Sequence, residues 1–294
     1  MSERVFQIGA GQAGRGLNRA FSSSGTRVIA LHGRRPSPGA TSYGAIPDSI
    51  RDANVILVSV REQQIDGVME DLVNAAAAGR LERGTVILHT SGVAEPVALQ
   101  SLASLGFPGG TFHPLVPFAN PERAGALLRG AWIGIDGDAT ARATARRLAA
   151  GLGARTLDIP AGKKAAYHAA AVMGSSFPMV LASVAGHLLQ SIGISAATAA
   201  HAIEGLMTGA MANFADRSPD DVLTGPVARG DAVTLGKHLK GLKQSPSALS
   251  VYRALSSAAV EIAEGRGMDQ EKVAALRGTI AATVRTPPPG KPSL

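Results

Sequence analysis

Apolar and polar positions along the first half of the chain alternate between two regimes. Short runs rich in strand-forming residues at 4–8, 26–31, 54–60, 85–89, 110–112 and 131–135 read as strands. Between them lie segments whose apolar residues recur on one helical face, at 13–23, 64–78 and 140–151, and a last strand is expected at 154–159. Strands and helices in that alternation are the pattern of parallel strands joined by crossover helices. Pro160-Ala161-Gly162 breaks it, and no strand pattern returns. Ser218-Pro219-Asp220-Asp221 and Ser245-Pro246 each set a capping Ser before a first-turn Pro, Asp231 is placed to cap a helix at 232–242, and a final helix is expected at 268–284. The division expected is an α/β domain over 1–160, an all-helical domain over 161–285 and a disordered Pro-rich tail over 286–294.

Composition narrows the classes. A chain of 294 residues can bury two cores without cross-links, and the absence of Cys excludes disulfides, thiolate metal sites and thiol catalysis; no metal is expected. The net charge of +7 could suit nucleic acid, but the cations are scattered as singles and pairs (Arg34-Arg35, Arg146-Arg147, Lys163-Lys164) and aromatics are 4% of residues, too few for a stacking platform. No nucleic-acid partner is expected. Residues 165–189 carry no Asp, Glu, Lys or Arg and are long enough to span a bilayer. They are built on Ala and interrupted by His168, Ser175, Ser176 and Pro178, so a helix buried within a helical domain is expected and no membrane partner. Met1-Ser2-Glu3-Arg4-Val5 runs straight into a strand without the regions of a secretory signal, which points to the cytoplasm.

The first strand ends in Gly9-Ala10-Gly11-Gln12-Ala13-Gly14, which opens the first helix. That context makes it a dinucleotide-binding loop: Gly9 for the tight turn, Gly11 for backbone approach to a pyrophosphate, Gly14 for close helix–strand packing. The fold expected is therefore Rossmann-like, a doubly wound α/β sheet followed by the helical domain. Where an NAD-preferring domain sets an acidic residue after its second strand, this chain reads His32-Gly33-Arg34-Arg35, which offers guanidinium groups to a 2′-phosphate. NADPH is the cofactor expected, with Val60 at the end of the third predicted strand and Thr90, Ser91 and Gly92 after the fourth completing its site. His89 and His113 stand at strand ends and are expected to line the site, His113 on the substrate side.

A carbonyl that accepts hydride becomes an alkoxide and needs a proton or positive charge near its oxygen. Lys164 and His168 stand one helical turn apart on one face and are the expected acid and orienting partner. Arg229, in the turn Thr224-Gly225-Pro226-Val227-Ala228-Arg229-Gly230-Asp231, could hold a substrate carboxylate, and Asp231 is grouped with it as substrate-binding besides its capping role.

The glycine loop, His89-Thr90-Ser91-Gly92, Phe112-His113-Pro114-Leu115, Tyr167-His168-Ala169-Ala170-Ala171-Val172 and the Thr224–Asp231 turn together resemble a bacterial family that joins a Rossmann-like NADP-oxidoreductase domain to a helical domain of unknown function. That family is similar to ketopantoate reductases, hydroxyacid dehydrogenases and pyrroline-carboxylate reductases. The resemblance implies a helical domain of the 6-phosphogluconate-dehydrogenase-like kind, a homodimer formed through it, and an NADPH-dependent reductase of a small 2-oxo acid with ketopantoate as first candidate. A cyclic-imine reductase and a non-catalytic NADPH-binding or sensing protein are the alternatives. Lys164 and His168 match the spacing of a Lys-x-x-x-Asn pair in those enzymes, with His in place of Asn, and Ser175-Ser176 stands where the family tends to read Ser-Asn.

Overall fold

A computed structural model describes residues 2–95, 99–214 and 217–282. The chain divides into two compact units, Met1–Ser175 and Ser176–Leu294. The first is built on eight strands: β1 (Arg4–Ile8), β2 (Arg27–Gly33), β3 (Ser42–Tyr43), β4 (Val55–Val58), β5 (Val86–His89), β6 (Gly109–Pro114), β7 (Trp132–Gly137) and β8 (Arg155–Asp158). They form one sheet in the order β3-β2-β1-β4-β5-β6-β7-β8. Strand order reverses at β1, which lies between β2 and β4, and in open α/β sheets ligands bind beyond the carboxyl ends of the strands at such a point.

Period-two alternation sorts the core. Val5, Val55, Leu57, Val86 and Leu88 pack on one face with Leu17 and Phe21 of α1 (Gln12–Ser23) and Ala145 and Leu148 of α5 (Ala139–Gly151). Phe6, Ile8, Ile56, Val58 and Ile87 take the other face, with Val68, Met69 and Leu72 of α2 (Ile65–Ala77). β4 is covered on both sides and accordingly reads as the unbroken apolar run Val55-Ile56-Leu57-Val58.

The expected strands and helices of this unit are all present, within about two residues at their ends. β3 and the one-turn helices α3 (Gln100–Ala103) and α4 (Ala124–Leu128) were not foreseen, being too short to show a period. Two strands depart from the parallel pattern: β7 runs antiparallel to β6, because the connection between them carries only short helical turns and not a full crossover helix, and β8, parallel to β7, runs with it.

The second unit is helical: α7 (Ala196–Phe214), α8 (Pro219–Val222), α9 (Ala232–Gly241), α10 (Pro246–Gly265) and α11 (Gln270–Ala282). Leu235, Leu239, Val260, Val273, Leu276 and Ile280 form its core. Two of the three expected caps form, Ser218 Oγ accepting from the Asp220 N–H at 3.3 Å and Asp231 Oδ1 from the Thr234 N–H at 2.9 Å, while Ser245 stands before Pro246 at the start of α10 without a side-chain cap bond. The expected tail, 286–294, and the last residues of the expected final helix lie outside the described residues.

Helix α6 (Lys164–Ser191) starts in the first unit, and its opening turns carry Lys164, Tyr167 and His168 into that unit, so the division falls at Ser175 and not at the Pro160-Ala161-Gly162 break. Its expected burial is corrected. The most apolar 18-residue window of α6, mean hydropathy 1.5, contains no buried residue, and Met173 is 64% and Met179 63% exposed. By length and composition it is one helix that could cross a membrane. An Ala-rich stretch reads as core from composition alone, but among the described residues nothing buries that window.

Phe112, fully buried on β6 and stacked near Phe21, anchors the strand that also carries Thr111 and His113. Phe112→Ala should lower unfolding free energy by about 3–5 kcal/mol in chemical denaturation; a loss under about 1 kcal/mol would remove Phe112 from the core.

Candidate functional site

At the end of β1 the chain turns at once into α1. Gly9 makes the turn with φ +112°, and a Cβ there would collide with the Ser59 carbonyl. The Gly9 N–H donates to the His32 carbonyl at 2.8 Å and the Ser59 N–H to the Ile8 carbonyl at 2.7 Å, carrying the ladder one residue past the strands. Beneath the turn, a Cβ on Gly14 would collide with the Gly9 carbonyl, and the buried Gln7 amide donates to the Gly14 carbonyl at 2.7 Å. Helix α1 has no acidic residue in its first turn and no side-chain cap, leaving its amides and positive dipole end for an anion.

A cavity of about 780 Å³ opens over this turn. Of the residues singled out from the sequence, Gly9, Ala10, Gly11, Gln12, Ala13, His32, Arg34, Val60 and Thr90 line it. Gly14 packs below it, and Arg35 is exposed and is not among the lining residues. His32 is buried: its Nε2 donates to the Gly44 carbonyl at 3.2 Å, so its Nδ1 accepts from Ser42 Oγ at 3.0 Å. Burial holds its pKa below the ordinary value, and the ring pins β3 to β2. Sequence reading missed Arg15 and Arg61, two further cations on the lining. Arg61 directly follows the stretch 54–60 predicted as a strand, a position equivalent to the glycine loop's own, which could have flagged it.

Beyond Thr90 a second cluster stands, wholly within the first unit. His113 Nδ1 and the Tyr167 hydroxyl are hydrogen-bonded at 2.7 Å, their rings edge to face at 5.5 Å, and the His113 and His168 rings are also 5.5 Å apart. Gly92 closes the group, since a Cβ there would collide with His168 Nδ1 and press on His113 Nε2. His168 Nδ1 is buried without a hydrogen-bond partner, an orphaned polar atom of the kind that marks a ligand position. Lys164 is fully buried, and its Nζ donates to the Ser91 carbonyl at 3.1 Å, to Thr111 Oγ1 at 2.8 Å and to the Ala94 carbonyl. Ser91 itself is buried, its hydroxyl bonded to Glu62. Tyr167, which no reading of the sequence gave a role, sits one turn from Lys164 on the same helix.

Burial sets the charge states. His89, fully buried, is pushed down to about 3 by desolvation and by Lys164 and His113 nearby. Desolvation, with His168 and Lys164 adding, takes His113 down to about 4. Desolvation also lowers Lys164 to about 8, opposed by Asp136, Glu95 and Glu62, and raises the Tyr167 phenol. The Ser91 N–H donates to His89 Nδ1 at 3.2 Å, so His89 is the Nε2–H tautomer and donates to Thr111 Oγ1 at 3.4 Å.

Arg229 and Asp231 lie in the second unit. Arg229 is exposed on a cavity of about 330 Å³ beside Arg266 and Lys272, and Asp231 is occupied as the cap of α9.

The model of a domain of unknown function, DUF2520, matches residues 131–259. No curated protein matches the chain. A Thermotoga maritima protein is 22% identical with TM-score 0.69, covering 89% of this chain and 99% of its own. A pyrroline-5-carboxylate reductase of Coxiella burnetii is 15% identical with TM-score 0.59, covering 89% and 99%. A reductive aminase of Aspergillus terreus, solved with NADPH and ethyl levulinate, is 20% identical with TM-score 0.57, covering 97% and 94%. At these identities the likeness is one of fold: a Rossmann-like domain followed by helices.

Neutral buried histidines fix a pH dependence. Unfolded His89 takes a proton below its ordinary 6.5 while folded His89 resists until about 3, so between those values the unfolded chain binds more protons and stability falls as pH falls. The slope contributed is up to about 1.4 kcal/mol per pH unit. Urea titrations of the wild type and His89→Asn between pH 7.5 and 4.5 should show a shallower loss in the variant; equal slopes would mean His89 is not buried neutral.

Proposed function

We propose that the chain is an NADPH-dependent reductase that passes hydride to a small carbonyl or imine compound. The observation that carries this is the cavity over Gly9–Ala13 with Arg34 on its lining at the end of β2, where a 2′-phosphate would meet a guanidinium. The NADPH bound to the structurally similar reductase from Aspergillus terreus supports the same cofactor. The lining fits the group, with bare glycine backbone and helix amides for a pyrophosphate and arginines for a phosphate. NADPH would supply the hydride. Thr90 leads from that cavity to Gly92, His113 and His168, which we take as the hydride-accepting end.

A 2-oxo acid, ketopantoate first, remains the leading acceptor on the spacing of Lys164 and His168. A cyclic imine is the second reading, favoured by Lys164 Nζ having all three donors engaged, since an iminium arrives already protonated. We further infer a homodimer formed on α6 and α7, which leave the large apolar side chains of Met173, Phe177, Met179, Val180, Leu206 and Met211 exposed, the kind of surface that protein association covers.

Fluorescence titration should show NADPH binding more tightly than NADH. Arg34→Ala should weaken NADPH by about tenfold or more and leave NADH within about threefold, as expected for loss of a charge-assisted bond; an unchanged NADPH dissociation constant would sink the assignment. Oxidation of NADPH against matched panels of 2-oxo acids and cyclic imines decides the acceptor, and tight binding without turnover on either panel would favour a sensing protein.

A further inference from the structure

Residues 90–95 follow β5 and carry Thr90 to the cofactor cavity and Gly92 to the His113 and His168 rings. Ser91 Oγ accepts from the Val93 and Ala94 N–H groups at 3.1 and 3.0 Å and bonds Glu62. From the first residue of α6, Lys164 reaches the Ser91 and Ala94 carbonyls of this loop and Thr111 on β6. An ammonium has three N–H bonds, and these three acceptors use all of them. Lys164 is fully buried, so turning a donor toward a substrate oxygen would break one of these bonds, and leaving the Ser91 carbonyl would strand a buried acceptor.

We propose that Lys164 is a positioning residue that fastens the 90–95 loop to β6 and so sets Gly92 against the two imidazoles, while His168 is the group that meets the reacting double bond. His168 has the free atom this needs: Nδ1 is buried, unpartnered and pressed against Gly92. The inference rests on the reductase reading for its kinetic arm alone.

The fastening survives loss of a proton. A neutral Lys164 amine keeps two N–H bonds to the carbonyls and accepts the Thr111 hydroxyl on its lone pair, while His89 still donates to the Thr111 oxygen. The charged and titratable groups around it are Asp136, Glu95 and Glu62, with His89 and His113. A positioning Lys164 therefore leaves kcat level through pH 8, whereas a proton-donating one makes kcat fall above it.

Lys164→Gln keeps two N–H donors and has no proton to release; Lys164→Met keeps none. With the acceptor found in the panels, K164Q should retain about a tenth or more of the wild-type kcat with an unchanged profile from pH 7 to 9, and K164M should lose about 100-fold. Hydrogen exchange at Val93 and Ala94 should quicken by about tenfold or more in K164M. Equal losses of about 100-fold in both variants with loop exchange as slow as in the wild type would overturn the proposal. Should K164M not fold, Thr111→Val takes its place: it removes one acceptor and leaves the ammonium, and unchanged kcat and loop exchange would likewise overturn it. If the wild type reduces no carbonyl or imine, the reductase reading fails by itself and loop exchange alone decides the fastening, unchanged rates refuting it.

Discussion

The Ser59 carbonyl occupies the place a side chain would take at Gly9, and the geometry of the whole carboxyl edge depends on that contact. β1 and β4 are parallel neighbours whose ladder continues one residue past the strands, so the two backbones stay close just where the chain must turn away. Only a residue without Cβ can turn there, and it must do so at a positive φ that costs other residues about 1–3 kcal/mol. The turn then delivers the first turn of α1 to the strand-order reversal within three residues. Gly14 lets that helix sit against the turn, so one glycine makes the cavity and another keeps the helix close enough to serve it.

Below the hydride-accepting end proposed here, Lys164, Thr111, His89 and Ser91 are joined by hydrogen bonds. Thr111 accepts from both His89 and Lys164, and the one cation of the network has a full set of acceptors. In a site of low dielectric, desolvation decides first which groups are charged. His89 and His113 are held neutral, and neutral rings raise no like-charge barrier to the positive charge that an oxidised nicotinamide would carry.

Much of this was legible in the sequence, and for identifiable reasons. The strand run Val55-Ile56-Leu57-Val58 is apolar because it is buried on both faces, so periodicity and composition find it together. The glycine loop shows because each glycine answers a steric need. Short-range spacing also put Lys164 and His168 on one face of α6. What spacing does not carry is the partner across the fold: Ser91, Ala94 and Thr111 lie 53 to 73 residues away from Lys164, and the same Lys-x-x-x-His pair suits a proton donor or a fastener. Arg15 and Arg61 escaped for a similar reason, since an arginine's place on a cavity wall depends on where the backbone brings it.

Helix α6 shows the opposite failure, in which composition was clear and misleading. A charge-free, Ala-rich stretch satisfies the tests for a core helix and for a membrane span alike, because both read mean hydropathy and neither reads what stands opposite. The exposed side chains separate the cases better. Met173, Phe177 and Met179 are large and flexible or aromatic, the residue types that fill irregular protein contacts, while the small Gly174, Ser175 and Ser176 between them let a facing helix approach closely. A lipid-facing helix gains from large apolar side chains all round, and the Ala-rich positions here would give it little. The composition of α6 therefore suits a protein partner better than lipid, which is why the homodimer reading takes this face.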